Sequence, residues 1–526
     1  MENVTLKPVR GYREVDVDTG EGIQQRDEST LARLGKRSVL KRNFGFMSIL
    51  GFSCTILITW EGSLIGGPAG VIYSYIFVWV GTSATFTTLS ELASMAPTSG
   101  GQYHWCSMLA PPSHKIFGYI TGWLTVAGWQ ATFASGCYLC GTLIQGLMVL
   151  TDHNYNPLPW QGTLLYWAVV VFCVFINVAA RGLLPKFEGL ILLLHVTGFF
   201  AIIIPLIYLS DHSKPSEVFT TFLNGGKWPT QGVSLLVGML GNVFAFTGAD
   251  AATHMSEEIH NAEVIVPRSI LTSMALNGCL GFGMIIATLF CLGDIQNALE
   301  TPTGYPFIEI FYQATGSIAG TAVMTSIITI LTISATVGSL ASSSRVLWAF
   351  SRDRGLPGWI ILSKKLEVRT LIPTWAIAAT TTMAGLLALI NIGSSVAFND
   401  IISLSVSCLY LSYLVCCVLF LYRRIRGDIL LPSEAPQATI VNTTGAQLVW
   451  GPFRVPGVLG IGVNMFTIAY LILVVFFSFW PPLTPVTAQN MNYAIVGTGS
   501  VIIFSIVYYL LIARKVYNGP RIETQF

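Results

Sequence analysis

Charged residues are scarce in this chain of 526 residues. Asp, Glu, Lys and Arg together make up 10% of the sequence, whereas an ordinary soluble protein carries roughly 25%. Hydrophobic residues make up 53%, and the mean hydropathy is +0.64. This composition excludes an ordinary soluble domain. The net charge of +2 gives no reason to expect a nucleic-acid partner.

Several motifs that carry chemistry are also missing. The sequence contains no glycine-rich nucleotide-binding loop, so an ATP-driven pump is not indicated. No His/Cys cluster has metal-ligand spacing and no nucleophile–base pair stands out, so we expect no metal, no cofactor and no enzymatic activity. Cys137 and Cys140 form a C-x-x-C, which we interpret as two small packing residues on a membrane helix.

Long apolar runs recur along nearly the whole chain. About 20 apolar residues suffice to span a bilayer as a helix, and the period-2 alternation of an outer-membrane barrel is absent. We therefore predict an all-α polytopic membrane protein. Its twelve transmembrane helices are expected near 44–66, 68–93, 117–150, 160–180, 187–209, 231–255, 269–292, 317–345, 371–391, 400–421, 457–480 and 492–513.

The positions of Lys and Arg predict the orientation of these spans. With the N-terminus in the cytoplasm, 26 of the 28 basic residues fall in cytoplasmic segments, and only Lys214 and Lys227 lie outside. This asymmetry favours twelve spans with both termini cytoplasmic. The plasma membrane is the expected location, and a vacuolar membrane stays open.

The two ends of the chain differ from the apolar part between them. Residues 1–42 hold 16 of the 54 charged residues and lack hydrophobic periodicity, so we predict a disordered cytoplasmic tail. Its lysines, Lys7, Lys36 and Lys41, are candidate sites for ubiquitination machinery. The transmembrane domain is expected over 43–515, with a cytoplasmic C-terminal tail over 516–526.

Two spans contain features that lipid disfavours. The first includes "TILITWEGSLIGGPAG", and the sixth runs into "NVFAFTGADAATHMSEE". Glu61 and Asp250 are ionisable groups within these spans, and Gly248 can interrupt the sixth helix. A broken helix frees backbone groups that suit an ionic solute. Interruptions five spans apart point to a transporter built from inverted repeats.

Five motifs carry a resemblance to a known family: "TWEGSLIGGPAGVIYSYI", "SELASMAPTSGGQYHW", "FTGADAATHMSEEIHNAEVIVPRSI", "SSSRVLWAFSRDRGLP" and "GPFRVPG". In this order and spacing, the chain resembles the amino acid–polyamine–organocation superfamily, specifically its fungal amino acid/choline (GABA permease-like) branch. The resemblance implies a five-plus-five inverted-repeat fold with two extra C-terminal helices. The repeats are then expected near 44–209 and 231–421, and the extra helices near 457–513. The resemblance also implies import of amine-bearing solutes, usually driven by protons.

The same resemblance implies where the solute binds. Its carboxylate or polar head would meet the break in span one, and its amine end would meet the break in span six. The residues implied at these two breaks are Thr55, Ile58 and Thr59 in span one, and the stretch from Phe244 through Phe246 and Thr247 to Gly248 in span six. Asp250 stands where relatives often hold an acidic residue. His195 stands where some bacterial relatives place a lysine that substitutes for a sodium ion.

Each of these side chains also has a purely structural interpretation. Asp250 either couples to protons or solute, or caps the second half of span six. Glu61, with Trp60 beside it, either binds an ammonium group or has a structural partner. His195 either titrates or is a buried neutral side chain. The remaining candidates either line the site or only pack or bond within the helices: Phe244, Phe246 and Trp129 for the pocket, and Thr332, Ser334 and Thr336 for an ion.

An acidic pair follows span six. Glu257 and Glu258 are expected either to form an inner gate with Arg345, Arg352 or Arg354, or to be a solvated charge run. The sequence thus predicts a secondary active carrier of a small amine-bearing solute, such as GABA or another amino acid, choline or a polyamine. We expect proton symport by alternating access. Sodium coupling is the second mechanism, and a nutrient receptor with little flux is the alternative function.

Overall fold

Helices make up most of the computed structural model, which describes residues 20–57, 66–152, 154–363, 372–393, 395–435 and 440–523. The α-helices are α1 Gly20–Arg33, α2 Phe46–Ile56, α3 Gly67–Met95, α4 Gln102–Leu109, α5 Ile116–Thr151, α6 Pro159–Val174, α7 Leu184–Leu209, α8 Pro215–Thr220, α9 Gln231–Gly238, α10 Leu240–Ala245, α11 Ala251–His254, α12 Ala262–Phe290, α13 Ile295–Leu299, α14 Pro306–Thr315, α15 Ile318–Arg352, α16 Trp359–Leu362, α17 Thr374–Leu387, α18 Ile390–Gly393, α19 Ser395–Arg426, α20 Gly457–Phe477 and α21 Ala494–Leu511. A π-helical turn, Phe175–Ala179, continues α6. Two short strands, β1 Ile429–Leu430 and β2 Leu448–Val449, pair in parallel.

Ten helical segments in the described part of the chain are long and apolar enough to cross a membrane. Two shorter apolar segments, Phe46–Ile56 and Gln231–Ala245, coincide with the predicted first and sixth spans. Together they account for the twelve predicted spans and confirm a polytopic helical membrane protein. The first and sixth spans are short because each helix stops partway through the predicted run.

Helix α5 packs against both α15 and α19, and α3 packs against α12 and α20. The short helix α2 packs against α7, α12 and α15. Small residues allow this close approach. Gly278 of α12 lies so close to the indole of Trp79 on α3 that a Cβ could not be accommodated. The same indole donates a hydrogen bond from Nε1 to the carbonyl of Met274 at 3.0 Å. Outer helices such as α21 expose apolar side chains, for example Ile503, as lipid contact requires.

The N-terminal and C-terminal segments meet at one face of the bundle, where residues 26–44 lie beside residues 517–523; we call it the N/C face. The structure corrects the prediction of disorder for residues 20–42. These residues form α1 and a following segment that buries Leu31, Leu34 and Leu40. Two of their basic side chains pair with carboxylates on other segments, Arg26 with Glu263 and Lys36 with Asp353, which a composition argument cannot detect. Residues 1–19 lie outside the described residues.

The lysines considered for ubiquitination differ in accessibility. Lys36 is buried, and its Nζ lies 2.8 Å from Asp353 Oδ1. Lys41 is exposed, and Lys7 lies outside the described residues. The C-terminal segment is docked as well, because Tyr517 is buried against Tyr119 and Phe350. Of the two lysines described, only Lys41 is therefore accessible in this conformation.

Candidate functional site

Span six is interrupted in the middle of its apolar run. Helix α10 ends at Ala245, and α11 begins at Ala251. Between them Gly248 adopts φ +99°, a backbone conformation that only glycine adopts without strain. The interruption breaks the i→i−4 hydrogen-bond ladder, so its backbone groups must find other partners in a buried setting. This is the predicted break at Gly248.

Span one also stops early. Helix α2 ends at Ile56, and Leu57 is extended, with φ −86° and ψ 110°. Thr55 lies in the last turn of α2 and is buried. The other residues predicted at this break, Ile58, Thr59, Trp60 and Glu61, lie outside the described residues.

The ends of the two interrupted spans lie against each other. A Cβ placed on Gly248 would lie 2.9 Å from Ile56 Cγ2 and 3.6 Å from the ring of Trp129. Trp129 is fully buried on α5. The structure thus brings together three sequence-predicted elements: the end of α2, the break in span six and the indole of Trp129.

Asp250 is fully buried beside this junction and is surrounded by donors. Its Oδ2 accepts from Gln102 Nε2 at 2.7 Å and from Trp129 Nε1 at 3.4 Å. Its Oδ1 accepts from the hydroxyl of Tyr413 at 2.7 Å. The side chain makes no capping bond to α11, which argues against the capping interpretation. These bonds tie α4, α5 and α19 to the break in span six.

His254 adds a titratable neighbour to this carboxylate. Its Nδ1 lies 3.0 Å from the carbonyl of Ser99. A carbonyl only accepts hydrogen bonds, so this nitrogen carries a proton. The other nitrogen, Nε2, lies 3.4 Å from Asp250 Oδ2. The Asp–x₃–His spacing places the two on neighbouring turns of a helix and could have revealed this pair in the sequence.

Aromatic rings surround the break. Phe246 is fully buried and its ring centroid lies 5.2 Å from that of Tyr75. The ring centroids of Tyr410 and Tyr413 on α19 lie 5.5 Å apart. Phe244 is only half-buried, and the Thr247 hydroxyl donates to its own helix at the carbonyl of Val243. The face of an aromatic ring attracts cations, so this region suits an ammonium group.

Helix α7 carries two ionisable groups that lie inside the helix bundle, His195 and Glu188. His195 lies beside Asn277 of α12, and no contact with Asp250 is found among the described residues. Glu188 was not singled out in the sequence because it stands at the edge of its predicted span, two residues after Lys186. The structure buries Glu188 completely and places its Oε2 3.2 Å from Thr55 Oγ1.

The predicted gate residues form ion pairs at the N/C face. Arg345 Nε lies 2.8 Å from Glu258 Oε1, and Arg352 Nη2 lies 2.9 Å from Glu257 Oε1. Arg354 instead packs over the ring of Trp359. Because Arg345, Glu257 and Glu258 are all buried, the arrangement resembles a closed gate more than a solvated charge run.

The N-terminal segment lies across this gate. The amides of Asn43 and Phe44 donate to the carbonyl of Glu258 at 2.9 and 3.2 Å, and His260 N donates back to the carbonyl of Phe44. Arg352 Nε also lies 3.2 Å from Glu523 Oε1. Both ends of the chain therefore join the two spans that carry the gate.

The charges at the N/C face shift each other's protonation. Burial is the largest single influence on the pKa of Glu257 and raises it, but the Arg352 guanidinium, the charge of Lys36 and the Ser99 amide together outweigh burial, so the pKa lies below its ordinary value. Burial also raises the pKa of Asp353, whereas the charges of Lys36 and Arg352 lower it. The resulting pKa of Asp353 lies below its ordinary value. Both carboxylates therefore stabilise the closed face while they are ionised.

Acid is expected to loosen this face. A carboxylate with a lowered folded-state pKa contributes its full stabilisation above its ordinary value, 4.5 for Glu257, and loses it as the pH falls through the folded-state value. We expect the thermal unfolding midpoint of detergent-purified protein to drop below about pH 4.5. In Glu257→Gln this acid-induced drop should be smaller. The control is Glu434→Gln, which changes an exposed carboxyl group. If both variants show the same pH dependence, Glu257 is not the group that stabilises the face.

The hydroxyls of α15 considered for an ion site all donate to the backbone of their own helix. Thr332, Ser334 and Thr336 donate to the carbonyls four residues earlier, at 2.8–2.9 Å. This is the ordinary bonding of hydroxyls within a membrane helix. No cluster of three or more His, Cys, Asp or Glu side chains that could hold a metal ion occurs among the described residues.

A bundle of membrane-spanning helices, with one span interrupted at a buried carboxylate and buried ion pairs on one face, is typical of the class of broken-helix membrane transporters. The family model for amino acid permeases matches residues 44–501. The chain belongs to the amino acid permease family and is a membrane transporter, not an enzyme. This confirms the resemblance to the amino acid–polyamine–organocation superfamily.

Individual relatives match over most of their length. An amino acid/polyamine transporter named in Macrophomina phaseolina is 30% identical over 85% of this chain and 96% of its own. A choline transporter of Saccharomyces cerevisiae is 29% identical over 91% and 83%. An amino-acid permease of Neurospora crassa is 26% identical over 94% and 89%.

Proposed function

We propose that this protein is a secondary active carrier of one small amine-bearing solute, bound where spans one and six are interrupted. The observation that carries the proposal is the contact of Ile56 with Gly248 directly beside the buried carboxylate of Asp250. Interrupted helices that meet in this way are the usual binding site of inverted-repeat transporters. The division into repeats 44–209 and 231–421, with extra helices over 457–513, is part of this proposal.

The chemistry of the site favours a solute with a positively charged nitrogen. Buried rings of Phe246, Tyr75, Tyr410 and Tyr413 and the carboxylate of Asp250 surround the break, and both groups stabilise cations. The relatives are named for amino acids, polyamines and choline, which share this nitrogen. Amino acids such as GABA, choline and polyamines are therefore the solutes to test first.

Alternating access would act through the gate. The pairs Arg345–Glu258 and Arg352–Glu257 join α15 to the end of span six, so the site can open to the N/C face only after they separate. Solute binding then shifts the balance between the closed and open forms by its difference in affinity for them. We propose protons as the coupling ion, with Asp250, His195 and Glu61 as the groups expected to change protonation, and sodium as the second choice.

The orientation follows the charge distribution. We propose that the N/C face is cytoplasmic, because 26 of the 28 basic residues would then lie on that side. The plasma membrane is the proposed location. Ubiquitination of the N-terminal tail would need Lys7, Lys41 or an undocked Lys36.

Uptake into proteoliposomes tests this function. We expect labelled amino acids or choline to accumulate against their gradient when the lumen is alkaline, without sodium, and unlabelled amines to compete. If accumulation requires sodium, the coupling ion is sodium and not the proton. Binding without accumulation would instead identify a receptor.

The charge at Glu61 is expected to select cationic solutes. In Glu61→Gln, uptake of choline or a polyamine should fall about tenfold more than uptake of a zwitterionic amino acid, because only the cations lose a net attraction. The measurement is the ratio of kcat/KM for the two solute classes. Equal losses for both classes would reject the proposed role of this carboxylate.

A further inference from the structure

Glu188 is a buried carboxyl group with very few partners. It lies in the first turns of α7 and is 0% exposed. Its Oε2 is 3.2 Å from Thr55 Oγ1, and its Oε1 has no hydrogen-bond partner. A buried polar oxygen without a partner is uncommon and calls for an explanation.

The hydrogen bonds of Thr55 indicate where a proton resides. Its Oγ1 lies 3.2 Å from the carbonyl of Phe52 and 3.2 Å from Glu188 Oε2. A hydroxyl has one proton to donate and can also accept. Both contacts are satisfied together if Thr55 donates to Phe52 while a protonated Glu188 donates to Thr55.

Asp250 and Glu188 contrast sharply. Asp250 accepts from Gln102, Trp129 and Tyr413, an environment that satisfies an ionised carboxylate. No described Lys, Arg or His lies within ion-pair distance of Glu188, and an uncompensated charge in such a place is very costly. In this conformation Glu188 is therefore the carboxyl group that the surroundings favour as neutral.

The other titratable groups near Glu188 do not replace a counter-charge. Those on its own helix and on the α-helices packed against α7 are Cys54 on α2, Lys186, His195 and Tyr208 on α7, Glu263, Arg268 and Cys279 on α12, Cys291 directly after α12, Glu309 and Tyr312 on α14, and Arg345 and Arg352 on α15. Lys186 and Arg268 are exposed. Arg345 and Arg352 are paired with Glu258 and Glu257.

Glu188 lies beside α2, the helix whose end contacts the break in span six. The carbonyl of Glu188 packs so closely on Gly51 of α2 that a Cβ there could not be accommodated. Thr55 is one residue before Ile56, which contacts the break in span six. A movement of α2 away from α7 would therefore separate Thr55 from Glu188 and expose the carboxyl group to water.

We propose that Glu188 is a further proton-binding group of the carrier, in addition to the groups named above, protonated while the N/C face is closed and releasing its proton to that face when α2 leaves α7. This rests on the proposed proton-coupled transport. Each cycle then moves one proton from the opposite side to the N/C face together with the solute, and Thr55 is the positioning residue that accepts from the protonated carboxyl.

Glu188→Gln tests the proposal because glutamine imitates the protonated form. In proteoliposomes we expect accumulation driven by a pH gradient to fall at least tenfold, while exchange of labelled for unlabelled solute stays within about threefold of the unmodified protein. The matched control is Glu300→Gln, an exposed carboxyl group, which should retain both. If the unmodified protein does not accumulate solute, the proposed function itself fails.

The remaining outcomes concern Glu188 alone. Normal accumulation by Glu188→Gln would overturn the proposal, and so would a loss of exchange equal to the loss of accumulation in a folded variant. If this variant does not fold, the variant Thr55→Val tests the proposal instead. Removing the acceptor for the protonated carboxyl should shift the pH profile of uptake about 0.5–1 unit towards acid. An unchanged profile would overturn the proposal.

Discussion

Replacing Asp250 with Asn is expected to abolish accumulation of solute by a correctly inserted protein. The carboxylate accepts from Gln102, Trp129 and Tyr413. An amide nitrogen in place of one oxygen would face at least one of these donors, and each buried group left unpaired costs about 1–3 kcal/mol. The structure around the break would be destabilised, and the negative charge proposed to attract the solute would be lost. We expect initial uptake to fall roughly a hundredfold, which corresponds to about 2.7 kcal/mol.

The measurement is uptake per inserted molecule, normalised by the amount of folded protein in the proteoliposomes. Asp211→Asn is the matched control, because Asp211 is exposed and the same substitution there should leave uptake unchanged. Tyr413→Phe should produce a smaller loss, since it removes one donor and keeps the charge. Unimpaired accumulation by Asp250→Asn would remove this residue from the mechanism.

Replacing Gly248 with Ala is expected to have the second largest effect. A side chain at φ +99° is strained by about 1–3 kcal/mol. Its Cβ would also lie 2.9 Å from Ile56 Cγ2, closer than carbon atoms pack. The end of α2 must then move away from the break in span six. We expect at least a tenfold loss of uptake and a lower thermal unfolding midpoint.

Gly232 provides a matched control in the same span. It lies at the start of α9, exposed, and no atom outside its own helix lies within 4 Å of a Cβ placed on it. Alanine at this position should preserve uptake and could stabilise the helix by up to about 1 kcal/mol. If both alanine variants transported equally well, the contact between Ile56 and Gly248 would not be part of the site.

The local features of the site could be read from the sequence because they depend on neighbouring residues. Gly248 in an apolar run followed by Asp250 predicts an interrupted helix, and the structure has that interruption. For Glu257 and Glu258 the sequence left open pairing with Arg345, Arg352 or Arg354 or a solvated charge run, and the structure pairs them with Arg352 and Arg345. Only a few basic residues lie at the same end of the neighbouring span, so the number of possible partners for these carboxylates was small.

The partners of Asp250 could not be found in the same way. Gln102 is 148 positions and Tyr413 is 163 positions away from Asp250 in the chain. Which of many polar and aromatic residues meet one carboxylate depends on the rotation and tilt of each helix. Those are set by side-chain packing between helices, not by hydropathy.

By itself the sequence determined the membrane class, the number of spans and the position of the break in span six, because apolar length and local backbone preference are properties of short segments. Tertiary structure alone decided that residues 20–42 dock on the N/C face, that Glu188 is buried beside Thr55, and that Gln102 and Tyr413 bind Asp250. These contacts join segments distant in the chain. Their energies come from burial and hydrogen bonds that exist only once the helices have packed.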